Sequence, residues 1–554
     1  HTCAWHRSLS LGRVRTPTLN MVVQRDLAIE SHKPTPFWRL IVPMDGWTLE
    51  SGKIEDQVMA RRILADAMGL PAEILEVRRR REHAKPPTLF DLTGLQKAMS
   101  ERHGLTAEQT LDCLQHLYEM KVATYPRTDS KYITHDDVDG LKELLQPKYA
   151  LGFLDQKPVE AIHDLYSAGG FDPMRCVADD KVQGHTAILP TRRLTYDVFQ
   201  HDLTDMEREV IAVILTRMWS ACATDRVHDT VKVEAVLDER HADGSMERVP
   251  LSASSDVTVE AGWTAIEGTS RTDDAEKKPV NRIPDSLGKG PLPQSGAPSL
   301  TEGVSAPPKP FTEATLLSAM EHASRFVADS DLKAALDDDT SHSGGIGTPA
   351  TRAGILESLV KSGYLQRKGK QLRSTPAGRM LVGVAIDELK DVKLTAQWEQ
   401  SLADIEQGKG DETVFLNEIR TACAAMPGRV MEMTRRDNLQ QLVRQAGERE
   451  SFGPCPRCGK PVVKTGSVWQ CSSNKSVKDA VGAWKLSEGC GYKIFAEKFD
   501  KKLTDSMVRR TLEGKRPKVS GLKSKAGKTF DARLVPDRQY GIGLSFDDLN
   551  RKKK

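Results

Sequence analysis

Four cysteines carry the most specific chemistry that spacing alone shows. Cys455 and Cys458 form a CxxC pair, and Cys471 and Cys490 follow with 18 residues between them. Zn2+ favours four soft ligands in a tetrahedron, and a CxxC knuckle presents two of them. Pro456 and Gly459 suit the tight turn between them. The second half lacks a CxxC, so unpaired thiols without metal are the competing reading. Tyr125, followed two residues later by Arg127, is a second candidate. A phenol with a reference pKa near ~10 is mostly protonated at neutral pH, so a nucleophilic tyrosine needs positive charge beside it. The apolar run Val122 to Tyr125 predicts a short strand, and two residues along a strand return to one face, setting the guanidinium beside the phenol. By itself, a tyrosine at a strand end is far more often a core or edge residue.

The elements that must position these groups are mixed. A chain of 554 residues exceeds one hydrophobic core, and roughly three to five units are expected. Phe37 to Val42 reads as β, and Glu55 to Met68 as a helix ended by Gly69 and Pro71. Two amphipathic helices fill Leu89 to Tyr125; Thr106 and Gln109 make a capping-box start, with Leu111, Leu114, Leu117 and Tyr118 at helical spacing. Helix, turn, helix and strand in that order resemble a winged helix. Val227 to Val257 alternates as hairpin strands, and Thr269 to Pro310, rich in Gly, Pro and Ser, reads as a long connection. A second winged-helix pattern starts at Pro349, with Ile355, Leu359 and Tyr364 on one face and a basic hairpin from Gln366 to Arg373. Trp398, Leu402 and Ile405 follow helical spacing and are read as core.

Composition narrows the function classes. No apolar run approaches the ~18 residues of a membrane span, and no secretory signal is readable, so the protein is placed in the cytoplasm. Nine cysteines are too sparse for a disulfide framework and fit a reducing compartment. The net charge of +3 hides an asymmetry: Gly491 to Lys554 holds 18 Lys and Arg against 8 Asp and Glu, leaving −7 for the rest. A basic tail on a slightly acidic body fits a polyanion, most simply nucleic acid, or else a solvated tail.

Several motifs in order carry a family resemblance. Ala123-Thr124-Tyr125-Pro126-Arg127-Thr128-Asp129-Ser130 resembles the active-site signature of type IA DNA topoisomerases, on the topoisomerase III branch. Upstream, Ser10-Leu11-Gly12-Arg13-Val14-Arg15-Thr16-Pro17-Thr18 is similar to the family's DNA-contacting stretch, followed by Val22-Val23 and Arg25-Asp26. Downstream, His185-Thr186-Ala187-Ile188-Leu189-Pro190-Thr191 matches the active-site histidine motif. Pro307 to Thr315, Gly345 to Ala353 and Leu394 to Glu399 resemble the remaining core motifs. Agreement in order from Ser10 to about Gly408 is far more specific than any single match.

The resemblance implies that Tyr125 cuts one DNA strand by transesterification, with Arg127 gripping the phosphate and His185 hydrogen-bonding it or moving a proton. It implies DNA contacts by Ser10, Leu11, Gly12, Arg13, Val14 and Arg15, and by Thr351 and Arg352 at a helix start. The family usually has Gln at the place of Arg15; the sequence leaves open whether the change adds a charge contact or alters strand positioning. Resealing uses the energy of the phosphotyrosine bond, and accordingly no ATP-binding P-loop is present. The resemblance also implies Mg2+, held by acidic residues of an N-terminal Toprim domain. No match to that domain precedes Ser10, so a fragment impaired in cleavage is expected. Topoisomerase relatives with C-terminal zinc modules support Zn2+ at Cys455, Cys458, Cys471 and Cys490. Leu503 to Ala532 resembles a small accessory module that binds single strands.

The expected fold class is multidomain α+β: a toroidal type IA topoisomerase core with winged-helix-like helical domains, a β-rich arch and a C-terminal zinc ribbon. Residues 1–20 would end a helical DNA-binding lobe and 21–80 begin the arch. Residues 81–206 would form the tyrosine domain, 207–299 the second part of the arch and 300–450 the helical lobe. Residues 451–500 would be the ribbon and 501–554 the basic module. The expected activity is ATP-independent relaxation or decatenation of DNA by a monomer acting on single-stranded and negatively supercoiled substrate. The alternative is a single-stranded DNA-binding fragment without chemistry.

Overall fold

The structure is a computed structural model that describes residues 11–182, 184–240, 246–268, 281–327, 345–433, 451–465, 468–478, 484–498, 501–523 and 529–546. The chain divides into two bodies, His1–Leu439 and Gln440–Lys554.

In the first body, α1 (Arg15–Ser31) leads to β1 (Pro36–Met44), β2 (Trp47–Ser51), α2 (Gln57–Asp66) and β3 (Ala72–Ala84). The chain then builds α3 (Leu92–Arg102), α4 (Ala107–Glu119), α5 (Val138–Leu144), α6 (Gln156–Ser167) and α7 (Asp205–Cys222). It returns through β4 (Arg226–Arg240), β5 (Met246–Glu260), β6 (Gly290–Leu292) and β7 (Ser299–Val304). Next come α8 (Glu313–Glu321), α9 (Pro349–Lys361), β8 (Leu365–Lys368) and β9 (Gln371–Ser374).

Seven antiparallel strands pair in the order β6-β3-β4-β5-β2-β1-β7. Val233, Ala235 and Leu237 point to one face with the two-residue period of a strand, and there they bury Leu40, Val42, Leu49, Ile74 and Ile63 of α2. The stretch from Thr269 to Pro310 is therefore more than a connection: β6 and β7 lie in it and close the two edges of the sheet. Edge strands have one neighbour and tolerate Gly and Pro, so Gly290, Pro291 and Gly303 disguised them.

The tyrosine-bearing part has its own core, including Leu95, Leu114, Leu117, Ile188 and Trp219. Thr106 and Gln109 form the expected capping box of α4. The strand expected from Val122 to Tyr125 shrinks to a single bridge between Ala123 and Pro190, because the chain turns at Pro126, which has no N–H to continue a ladder. The helical part, with α1, α8 and α9, buries Leu19, Val22, Leu316, Leu317, Ile346 and Leu359. Asp26 of α1, 1% exposed, accepts hydrogen bonds from the Ser374 amide and hydroxyl, both at 2.7 Å, and lies 2.8 Å from the Arg373 guanidinium. That carboxylate ties α1 to the β8–β9 hairpin.

The seam between these two parts is polar. Among the described residues the core around Leu95 and Leu114 takes in no residue of α8 or α9. Lys97 of α3 reaches Glu321 of α8 at 2.9 Å, and Lys131 reaches it at 3.3 Å. Arg352 donates to Thr93 Oγ1 at 3.1 Å, and Lys361 pairs with Glu108 at 3.0 Å. Burial works against the Glu321 charge, but the hydrogen bond and charge of Lys97, with Lys131 and Arg352, hold its pKa down at about 2 against an ordinary 4.5. A lowered carboxylate stabilises fully above its unfolded value and loses that contribution as pH falls through the folded value. Glu321→Gln should lower stability by about 1–3 kcal/mol at neutral pH. The same variant should flatten the loss of stability between pH 4.5 and 2, read from urea unfolding across a pH series.

Candidate active site and metal centre

Backbone pairing places the tyrosine loop. The Thr124 N–H donates to the Leu189 carbonyl at 2.9 Å, and the Leu189 N–H donates back to Thr124 Oγ1 at 2.9 Å. Thr124 Oγ1 in turn donates to the Ala187 carbonyl at 3.0 Å. On its other side the run is fixed by the Ile188 N–H, which donates to the Phe90 carbonyl at 2.8 Å. Residues 187–191 are thereby pinned between Phe90 and Thr124, and His185 is carried onto Tyr125: the rings stack with centroids 4.0 Å apart and planes 25° from parallel. Thr128 fastens the far side of the loop, its hydroxyl donating to the His185 carbonyl at 3.3 Å and its carbonyl accepting from the Leu92 N–H at 3.1 Å.

Tyr125 is half-buried and Arg127 exposed, with no protein partner for the guanidinium among the described residues. The same-face argument for this pair does not apply, since Pro126 and Arg127 form a turn. A third ring, missed in the sequence as more than a helix-face residue, joins the site. Tyr118, at the end of α4, meets Tyr125 at 5.6 Å and 86°. Its spacing with Leu114 and Leu117 signalled core, yet it is 40% exposed.

The other expected contacts gather at the start of α1. Ser10 lies outside the described residues. Leu11 packs near Ile386 and Leu389, and the Gly12 N–H donates to Thr16 Oγ1 at 3.0 Å. Arg13 pairs with Glu399 at 2.6 Å, lies over the Trp398 ring at 5.9 Å and accepts the Thr395 hydroxyl at its carbonyl. Trp398 is thus half-buried beneath an arginine and Leu402 is 43% exposed, so that helix face is not the core that spacing predicted. Arg15 donates to the Ser358 carbonyl at 3.3 Å and the Ser362 hydroxyl at 2.6 Å, over the Tyr364 ring. Its charge thus meets the carbonyl end of α9, where cations are favoured.

The Gly345 to Arg352 loop adjoins this stretch. Gly347 lies against Val14, whose Cγ1 would be 3.3 Å from an added Cβ. At Gly345, with φ +72°, an added Cβ would sit 2.1 Å from the Met320 carbonyl, so only glycine allows this approach to α8. Thr351 is exposed and completes a capping box with Thr348. Arg352 departs from its expected place at a DNA contact: it is 1% exposed and donates to Thr93 and to the Ile346 carbonyl. Its position on α9 faces the seam and the buried Glu321 charge rather than solvent.

In the second body, strands Ser451–Pro454, Pro461–Thr465, Val468–Cys471 and Lys493–Phe495 form one sheet. The four cysteine sulfurs lie within 4.8 Å of one another, an arrangement that could hold a metal ion. Cys455 and Cys490 are 3.6 Å apart, and Cys458 and Cys471 3.4 Å. Burial opposes the Cys490 thiolate, but the Tyr492 amide, the Ser473 hydroxyl and the neighbouring thiols bring its pKa down to about 6. Arg457, inside the CxxC, donates to the carbonyls of Cys490 at 2.7 Å and Gln539 at 3.2 Å, and also to that of Arg538. Phe452, Trp469, Val508, Leu512, Leu534 and Ile542 share one core, so the cysteine-bearing strands and the stretch after residue 501 are packed together.

The description of the DNA topoisomerase family matches residues 2–417, and that of the C-terminal repeat of topoisomerase matches residues 489–547. The chain belongs to the DNA topoisomerase family. It is similar to the DNA topoisomerase 3 of Bacillus subtilis, 30% identical over 88% of this chain and 65% of that protein. The DNA topoisomerase 3 of Shouchella clausii is 32% identical over 83% of this chain and 60% of its own length. The chain therefore spans less than two thirds of the curated relatives it matches. The fold is similar to full-length topoisomerase I from Thermotoga maritima, with a TM-score of 0.52 at 19% identity, covering 90% of this chain and 72% of that one.

The shared core couples the metal centre to the rest of the second body. A metal at the cysteines should stabilise the whole second body, because binding to a site absent from the unfolded chain adds to folding free energy. Chelation should remove hydrogen-exchange protection at Leu534 and Ile542 together with that at Val462. Arg457→Ala, which leaves all four thiols, should weaken both regions by about 1–3 kcal/mol.

Proposed function

We propose that the chain is the strand-cutting and strand-binding part of a type IA enzyme that relaxes or decatenates DNA without ATP. The observation that carries this reading is the stacking of His185 on Tyr125 at 4.0 Å, in a loop bearing the active-site signature of a chain that belongs to the family. The Tyr125 phenolic oxygen attacks the scissile phosphorus, forming a 5′-phosphotyrosine, while the P–O3′ bond breaks and the phenolic proton's loss is balanced by protonation of the leaving 3′ oxygen. Attack by that 3′ hydroxyl reverses the step and reseals the strand. Arg127, exposed and with no partner for its guanidinium among the described residues, takes the phosphate charge as it grows. His185 orients the nucleophile and accepts or returns the proton. Arg13, Arg15, Thr351 and the backbone from Leu11 to Val14 border the strand, with Arg352 acting behind them through the seam.

Four thiolates suit Zn2+, which Cys455, Cys458, Cys471 and Cys490 would hold as a structural ion. Among the described residues those cysteines are the one set of three or more metal-ligating side chains gathered closely enough to share an ion. Among the described residues no set of acidic side chains gathers closely enough to share Mg2+. The preferred substrate is single-stranded and negatively supercoiled DNA, and the protein acts as a monomer in the cytoplasm. No described helix is long and apolar enough to cross a membrane.

With a Toprim domain joined ahead of the chain, labelled oligonucleotide should be trapped covalently by the native sequence and not by Tyr125→Phe. Arg127→Ala should lower the adduct yield at least tenfold, about 1.4 kcal/mol or more of transition-state stabilisation, while single-strand affinity changes little. Adduct from neither native protein nor Tyr125→Phe, with strong single-strand binding, would favour a binding protein without chemistry.

A further inference from the structure

We propose that Tyr118 is a positioning residue for the Tyr125 nucleophile, an inference that rests on the reading of Tyr125 given above. The Tyr125 side chain is half-buried just ahead of the Pro126–Arg127 turn, and backbone pairing reaches only to Thr124 before it. Core packing therefore does not set the direction of its phenol. Two ring contacts do. His185 stacks on it at 4.0 Å and 25°, which fixes the plane of the ring but leaves it free to slide along the stack. Tyr118 meets it at 5.6 Å and 86°, and a second ring at a right angle removes that freedom.

The base that holds Tyr118 is rigid. Leu114 and Leu117, in the same last turns of α4, are both 0% exposed, and the Lys121 N–H donates to the Tyr118 carbonyl at 2.8 Å. Tyr118 itself is 40% exposed, so burial in the core does not account for an aromatic residue there. Attack on phosphorus requires the phenolic oxygen in line with the departing 3′ oxygen, and a displacement of about 1 Å costs on the order of a hundredfold. A fixed ring beside the nucleophile limits that displacement without touching DNA.

Two readouts test the role. In the chain with labelled histidine, the ring current of Tyr125 should move the His185 ring signals upfield, with Tyr125→Ala marking the value without it. Tyr118→Ala should shift those signals toward that value, and Tyr118→Phe, which keeps the ring, should not. In the covalent-trapping assay with the Toprim domain joined, Tyr118→Ala should lower adduct formation about tenfold at unchanged oligonucleotide affinity, and Tyr118→Phe should restore it. Rescue by phenylalanine separates positioning from general loss of folding. Native adduct yield from Tyr118→Ala overturns the proposal whatever the His185 signals do, and so does failure of Tyr118→Phe to restore it. If Tyr125→Phe still forms adduct, the nucleophile reading itself fails; dependence on Tyr125 but not Tyr118 removes only the positioning role.

Discussion

The clamping of residues 187–191 between Phe90 and Thr124 is the constraint on which the candidate site depends. Two polar side-chain contacts and a few backbone hydrogen bonds join three stretches far apart in sequence. Neither ring is held in a deep core, since His185 is exposed and Tyr125 half-buried. Their stacking follows from the backbone around them. Thr124 has a particular place in this, because its one hydroxyl both donates to Ala187 and accepts from Leu189. A side chain of that size without the hydroxyl would leave two backbone groups without their partner.

The same body uses two kinds of contact for different purposes. Apolar burial holds the sheet on α2 and the tyrosine part around Trp219. Where the tyrosine part meets α8 and α9, charge takes over, with Glu321 between Lys97 and Lys131 and with Arg352 nearby. Apolar contact is insensitive to orientation, whereas paired charges lose most of their attraction once water enters between them. The seam is therefore specific in register. It also explains why Arg352, in a stretch that resembles a DNA-contacting motif, is buried.

In the second body, a small apolar core is shared by strands on both sides of residue 501. Arg457 reaches out of the CxxC turn to three carbonyls, two of them in the chain near Gln539. Tyr492 adds a further tie by donating from its hydroxyl to the Gly541 carbonyl at 2.5 Å. The shared core, the arginine and the tyrosine together tie the cysteine turns to the hairpin of Thr529–Asp537 and Gly541–Ser545.

The sequence by itself determined what is local or repeated in pattern. The cap at Thr106, the alternation from Val231 to Leu237, the CxxC turn and the ordered motifs that mark the family all depend on neighbours within a few residues or on their order along the chain. Tertiary structure decided what depends on distant partners. It made Val122 to Tyr125 a bridge and a turn, because Pro126 ends the pairing, and it recruited β6 and β7 from a Gly- and Pro-rich stretch, because the sheet had open edges. It settled where the Arg15 charge goes, toward Ser358, Ser362 and Tyr364, which no local rule connects to it. It also turned Tyr118 from one more residue on a helix face into the neighbour of Tyr125. Helical spacing tells which side of α4 a residue occupies, but only the packed chain tells what stands opposite.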